Sequence, residues 1–291
     1  MSDSNHTKNK GRLYVVATPI GNRGDITLRA LNILRDVDLI AAEDTRKTGN
    51  LLAHYQIRNR LISFHEHNEI KRTPEIIDKL LDGVSIALVS NAGTPSVSDP
   101  GYRLIQAAIA KNLTVTPIPG ASAAIAAMSV AGLPTDSFIF IGFLPRKKAK
   151  RNKLLNELAV VPRPVIFYES PKRIIAFLEE IISCMGDRTA VLAREMTKMH
   201  EEFIRGSVSE ILRTLNLRTE IKGECTLLIA GFEGNEDFNS EMITADIEAA
   251  LQKQQSGLSD IAKSIAQKYG LSKNKVYDIA LKVRGRKSDD R

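Results

Sequence analysis

The chain has 291 residues, 43% hydrophobic and 26% charged, the composition of an ordinary soluble protein with room for two domains and a small appendage. Its 41 Lys and Arg against 34 Asp and Glu leave a formal charge of +7, a balance that favours an anionic partner. Two distant cysteines, Cys184 and Cys225, exclude a disulfide framework and a CxxC metal site, and no apolar run reaches the roughly 20 residues of a membrane span. Residues 1–10 lack the apolar core of a secretion signal and read as a disordered tail; a cytoplasmic location is expected.

Residues 13–17 are a β-rich run ending in Thr18-Pro19-Ile20-Gly21-Asn22. Asp25 is placed to cap a helix with Ile26, Ala30, Ile33 and Val37 on one face. Strand, turn and helix then recur. Residues 39–42 run into Glu43-Asp44-Thr45-Arg46, and residues 61–64 into His65-Glu66-His67-Asn68-Glu69. A helix follows with Ile76, Ile77, Leu80 and Leu81 on one side. Ile86, Ala87, Leu88 and Val89 form an apolar run suited to burial on both faces of a parallel sheet. It breaks into Ser90-Asn91-Ala92-Gly93-Thr94-Pro95, a loop of small residues, and then Asp99-Pro100-Gly101, with Asp99 expected as N-cap and Pro100 as first residue of a helix presenting Leu104, Ile105, Ala108 and Ile109. Residues 114–118 are a strand that meets Pro119-Gly120 and a small-residue helix over 121–131.

Beyond Ser137 strands alternate with longer helices: 138–143, 165–168, 190–193, 202–205 and 226–230, with a strong helix carrying Ile174, Ile175, Leu178, Ile181, Ile182 and Met185. The pattern predicts an α/β fold. Its parts are an N-terminal domain over 11–123 with a mainly parallel sheet, a C-terminal domain over 124–232 with mixed strand directions, a linker over 233–240 and a helical appendage over 241–287.

Neither GxxxxGK[ST] nor a GxGxxG after a strand is present. The chain has instead three strand-end loops of small residues, at 18–22, 90–101 and 117–123. They offer backbone carbonyls and amides, which suits a flat, partly apolar ligand with a polar tail. His65, His67 and Glu69 could begin a metal site, but no other histidine has matching spacing and no metal is expected. The run from Arg146 to Lys153 holds six cations and no acid, a source of phosphate contacts. In the appendage Ala266, Gly270, Val276 and Ile279 have helix-turn-helix spacing, with Ile261, Ala262, Ile265 and Tyr269 on the first helix and Ala280 and Val283 on the second. Eight Lys or Arg between Lys263 and Lys287 face one acid, Asp278, which points to nucleic acid.

The strings ATPIGNRGDITLRAL, DLIAAEDTR, FHEHNE, SNAGTPSVSDPG, PIPGASA, FIGFLP, FYESPKR, LAREMTKMHEE and KGECTLLIAG, in this order over residues 11–232, resemble the ribosomal RNA small subunit methyltransferase I family of tetrapyrrole-methylase-like enzymes. The resemblance implies two α/β domains of the tetrapyrrole methylase type, with S-adenosylmethionine in the cleft between them, and a homodimer. It implies 2′-O-methylation of a cytidine ribose in the decoding region of small-subunit (16S) rRNA, free or in the 30S particle. Gly93 and Thr94, then Ser122 and Ala123, fall on the family's cofactor-contacting pairs, and Tyr168 where the second domain closes on the cofactor. Pro19, Gly21, Ser90 and Ala92 complete the expected cofactor set. Asn91 departs from the usual SDAGTP and lacks an acid's charge; Ala121 stands where proline is frequent.

Ribose methylation needs the hydroxyl proton removed, and Glu43, Asp44, His65, Glu66, His67, Glu169, Glu195 and Glu201 are the bases available at strand ends. Glu43, Glu169, Glu195 and Lys198 are the expected polar wall, with Lys198 stabilising the developing alkoxide. Arg146, Lys147, Lys148, Lys150, Arg151, Lys273, Lys275 and Arg284 are the expected RNA contacts. Two other readings stand beside this one: a tetrapyrrole or corrin precursor methyltransferase, and a helix-turn-helix DNA-binding regulator.

Overall fold

A computed structural model describes residues 10–232, 236–252 and 257–269, followed by 276–277, 279–281 and 283. The described residues carry two five-stranded sheets. The first is all parallel and is built from β1 (Arg12–Val16), β2 (Leu39–Ala42), β3 (Leu61–Ser63), β4 (Ile86–Val89) and β5 (Thr114–Ile118), in the order β3-β2-β4-β1-β5. Every residue of β2 and β4 is buried, as two-sided apolar strands require.

Helices α1 (Leu28–Asp36) and α2 (Thr45–His54) cover one face, where Ala30, Leu31, Leu34 and Leu52 meet Val16, Ile40, Ala87 and Val89. Helices α3 (Glu69–Leu81) and α4 (Tyr102–Ala110) cover the other, where Ile76, Leu80, Leu104 and Ala108 meet Leu13, Ala41 and Leu88. The neighbours β1 and β4 therefore send their chains to opposite faces. Their carboxyl ends diverge and open a crevice, which is where ligands bind in open α/β sheets.

Two helix starts differ from expectation. Thr27, not Asp25, caps α1, its side chain accepting from the Ala30 amide; Asp25 ends a short 3-10 turn over Arg23–Asp25. Asp99 does not cap α4, nor is Pro100 its first residue. Gly101, at φ +138°, turns the chain just before the helix, and the Glu69 carboxylate accepts from the amides of Gly101 (3.2 Å) and Arg103 (3.1 Å). Ile109 of α4 is exposed.

The second sheet runs β6 (Ile139–Phe143), β7 (Val165–Glu169), β10 (Cys225–Ile229), β8 (Thr189–Arg194) and β9 (Glu202–Ser207), parallel only between β6 and β7. Helix α5 (Ala123–Ala131) follows β5 of the first sheet but lays Ala124, Ala127 and Met128 against Ile166, Val191 and Leu228 of the second. On the opposite face lie α6 (Lys148–Leu158), α7 (Ile174–Met185) and α8 (Val208–Asn216). Helices α9 (Glu236–Gln252) and α10 (Leu258–Tyr269) pack through Ile243, Ile247, Ile261 and Ile265, joined by Val276, Ala280 and Val283. Residues 236–240, expected in the linker, are thus helical. Residues 1–9 of the expected tail, 233–235 of the linker, and Gly270 of the helix-turn-helix pattern lie outside the described residues.

Candidate functional site

The loops after β1 and β4 are tied across the crevice. Thr18 and Gly93 exchange backbone hydrogen bonds of 2.9 and 3.0 Å, and the Thr18 hydroxyl donates to the Ser90 carbonyl at 3.1 Å. Gly93 sits at φ +78°, and a Cβ there would meet Ile20 and Ala121 only at ordinary contact distance, so backbone angle rather than space demands glycine. The loop after β5 closes the third side: the Thr94 hydroxyl reaches the Ala121 carbonyl at 3.5 Å, and Ser122 starts α5 without a side-chain cap.

Between these loops and the second sheet lies a cavity of about 380 Å³. Its first wall is Glu43, Asn91, Ala92, Gly93, Thr94 and Asp99, and Ser122 and Ala123 form the second. Phe143, Tyr168, Glu169, Cys225 and Thr226 face them from the second sheet. The Ala124 amide donates to the Tyr168 phenol oxygen at 3.1 Å, so a residue of the second sheet satisfies an orphan amide of α5 and leaves its own O–H free. Phe140 and Phe143 set the Tyr168 ring edge-on, at 5.1 and 5.6 Å between centroids. Burial raises the Tyr168 pKa above the usual phenol value; the Ala124 amide opposes that rise and the Asp99 charge adds to it.

A smaller cavity of about 280 Å³ adjoins, sharing Ile20, Lys47, Asn91, Ala92 and Glu224. Pro19, Gly21, Ser90 and Lys198 line it. All nine expected cofactor residues therefore face one cavity or the other.

The expected catalytic residues divide. The Glu43 carboxylate accepts from the Asn91 amide at 2.9 Å and faces the larger cavity, as does Glu169. Glu169 is 7% exposed and is held by the Ser170 amide at 2.6 Å and by Arg173, whose Nε donates at 2.8 Å. Glu195 lines neither cavity; it accepts from Lys198 Nζ (2.8 Å) and the Glu224 amide (2.9 Å). Those bonds, Lys198 first, hold its carboxyl below the usual range. Lys198 also reaches Glu224 at 3.1 Å, and these two partners outweigh burial to keep its pKa above that of a free lysine. Lys198 packs over Gly21 with Thr197, whose hydroxyl accepts from the Asn22 amide at 2.9 Å, while Glu195 packs over Gly223, so the segment braces the β1 loop against the second sheet.

Asp99 is the wall residue that sequence reasoning took for a cap. Burial first, and the Glu43 charge second, push its carboxyl up to about 6, with a Ser90 hydroxyl bond offsetting part of the rise. Asn91 Oδ1 is buried and has no hydrogen-bond partner, an acceptor left open in the cavity wall. Phe143 and Thr226 were also missed; their signal was position alone, at the ends of strands in the quoted strings.

Arg146, Lys147, Lys148 and Lys150 are exposed at the start of α6. Arg151 is committed elsewhere: its guanidinium pairs with Glu180 of α7 and donates to the carbonyls of Pro145 and Arg146. Lys273, Lys275 and Arg284 lie outside the described residues. His65 and His67 stack edge-on at 5.9 Å, and Glu69 is used by α4.

The family Tetrapyrrole (Corrin/Porphyrin) Methylases matches residues 12–212. A protein of Streptococcus pyogenes serotype M3 called Ribosomal RNA small subunit methyltransferase I is 45% identical over 275 residues, 93% of this chain and 94% of that protein. A protein of the same name from Synechocystis sp. is 45% identical over 278 residues, covering 94% and 98%. Among solved structures, uroporphyrin-III C-methyl transferase from Thermus thermophilus, complexed with S-adenyl homocysteine, has a TM-score of 0.54 at 15% identity. It covers 75% of this chain and 97% of that one, a likeness of fold.

Proposed function

We propose a function from one premise: the chain belongs to the ribosomal RNA small subunit methyltransferase I family, within the tetrapyrrole methylases. It is a methyltransferase whose cofactor is S-adenosylmethionine. The reaction assigned here is 2′-O-methylation of a cytidine ribose in the decoding region of small-subunit rRNA, carried out in the cytoplasm by a homodimer on the RNA or the 30S particle. The observation that carries this reading is the inter-sheet cleft of a chain that aligns over nearly its whole length with relatives named for that RNA.

The residues fit the cofactor. Glu43 places negative charge in the cleft, which suits a ligand bearing a sulfonium and an ammonium, and Asn91 Oδ1 is an acceptor waiting for a donor. Ile20, Val97 and Phe143 offer apolar surface for a flat base. Gly93, Thr94, Ser122, Ala123 and Tyr168 would hold the cofactor from the larger cavity, with Pro19, Gly21, Ser90 and Ala92 beside them. When bound, S-adenosylmethionine supplies an already activated methyl group, so the protein's part is alignment and management of one proton. Glu43 and Glu169 form the polar wall, and Lys198, held by Glu195, sets the position of the Gly21 loop.

Arg146, Lys147, Lys148 and Lys150 supply phosphate contacts, with Lys273, Lys275 and Arg284 of the appendage adding to them; Arg151 anchors α6 on α7. A tetrapyrrole substrate leaves the exposed cations of α6 without a task. The test is RNA binding by the triple variant Lys147→Glu, Lys148→Glu, Lys150→Glu. The slope of log affinity against log salt should fall by about 2 while S-adenosylhomocysteine affinity stays unchanged; an unaltered salt slope removes α6 from the RNA site.

A further inference from the structure

Most acids facing the cleft have a task already. Glu169 is held by Arg173 and Ser170, Glu224 by Lys198, and Glu43 accepts the Asn91 amide. Burial pushes the Cys225 thiol up to about 11, and Tyr168 is raised too, so both are neutral near pH 7. Lys47 of α2 is exposed at the rim. Asp99 is left with a bond from the Ser90 hydroxyl and no helix to cap, since Glu69 caps the one that follows it.

The loop nevertheless holds Asp99 in place. Ser96 and Ser98 on either side adopt φ of +67° and +63°, a left-handed backbone that serine takes only when its surroundings insist. The Ser96 amide bonds to the Pro100 carbonyl at 3.2 Å, and Ser98 packs on Gly142 of β6. The carboxyl is thereby fixed in the cavity wall, where the loop of the first sheet meets the second.

Taking the ribose methylation above as the reaction, we propose that Asp99 is the base that accepts the 2′-hydroxyl proton. As the ribose oxygen bonds to the methyl carbon, the carbon–sulfur bond breaks with its electron pair left on sulfur, and the hydroxyl proton passes to an Asp99 carboxylate oxygen. A carboxylate and a sulfonium become a neutral acid and a thioether, so charge balances. An acid of pKa about 6 is a stronger base than an ordinary carboxylate and still returns its proton to water near pH 7. Glu43 in the same wall is the positioning charge that keeps it so.

The test measures single-turnover methyl transfer from pH 5 to 9, at saturating S-adenosylmethionine and small-subunit RNA, for wild type, Asp99→Asn and Glu43→Gln. Calorimetry measures S-adenosylhomocysteine affinity for each. The wild-type rate should rise with pH along a limb near 6. Asp99→Asn should lose that limb and about 100-fold or more in rate while S-adenosylhomocysteine affinity is kept; Glu43→Gln should move the limb to lower pH. A limb and rate retained by Asp99→Asn would overturn the proposal, and so would a loss of cofactor affinity as large as the loss of rate, which would make Asp99 a cofactor ligand. Wild-type protein that methylates no RNA would refute the functional reading itself, a different failure from either.

Discussion

Burial and the Glu43 charge raise the Asp99 carboxyl to about 6, so the folded protein binds that proton more tightly than the unfolded chain. The sign follows from the direction of the shift. Below the unfolded value near 3.8 both states are protonated and Asp99 costs nothing; the penalty grows as pH rises toward 6 and is complete above it. Asp99→Asn should therefore melt higher than wild type at pH 8 and no higher at pH 3.5, a small shift because the group is partly open to solvent. Equal differences at both pH values would contradict the assigned environment. Gly93→Ala forces a side chain into φ +78° and should cost about 1–2 kcal/mol in denaturant unfolding, with no overpacking on top. The cavity-lining loops were legible because small side chains at strand ends leave backbone open to a ligand. Asp99 was misread because Asp-Pro-Gly is a local cap signal, whereas the real cap comes from Glu69, 32 residues before Gly101 in the chain. Glu195 and Lys198 looked like independent site groups, and only the fold shows them paired.

At the level of elements, α3 and α4 are joined by that long-range cap. Glu69→Ala strips an acceptor from two amides at the start of α4 and should lower stability by about 1–3 kcal/mol. The same change releases the 90–101 loop, so S-adenosylhomocysteine affinity should fall too, with Glu69→Gln between the two. A loss of stability with cofactor affinity intact would separate the cap from the loop. Strands were the easier elements to read, since the four-residue apolar runs of β2 and β4 can only be buried on both faces. Helix starts were harder: Asp25 and Thr27 are both competent caps, and which one serves is decided by the 3-10 turn over Arg23–Asp25.

Across the whole molecule, alternation of strands and helices announced two α/β sheets, the first parallel and the second mixed. Strand order was not legible, because β4 enters between β2 and β1 long after both are made, and pairing of that kind leaves no local mark. Yet that order creates the crevice, by sending β1 and β4 to helices on opposite faces. Helix α5 then crosses to the second sheet and Tyr168 answers from there, so the cleft belongs to both sheets. On this architecture rests the claim of ribose methylation, and its most direct test is to incubate the protein with methyl-labelled S-adenosylmethionine and small ribosomal subunits or free small-subunit rRNA, then map the label. The account predicts label on the 2′-oxygen of one cytidine in the decoding region; label on a base, or no transfer to either RNA, would contradict it.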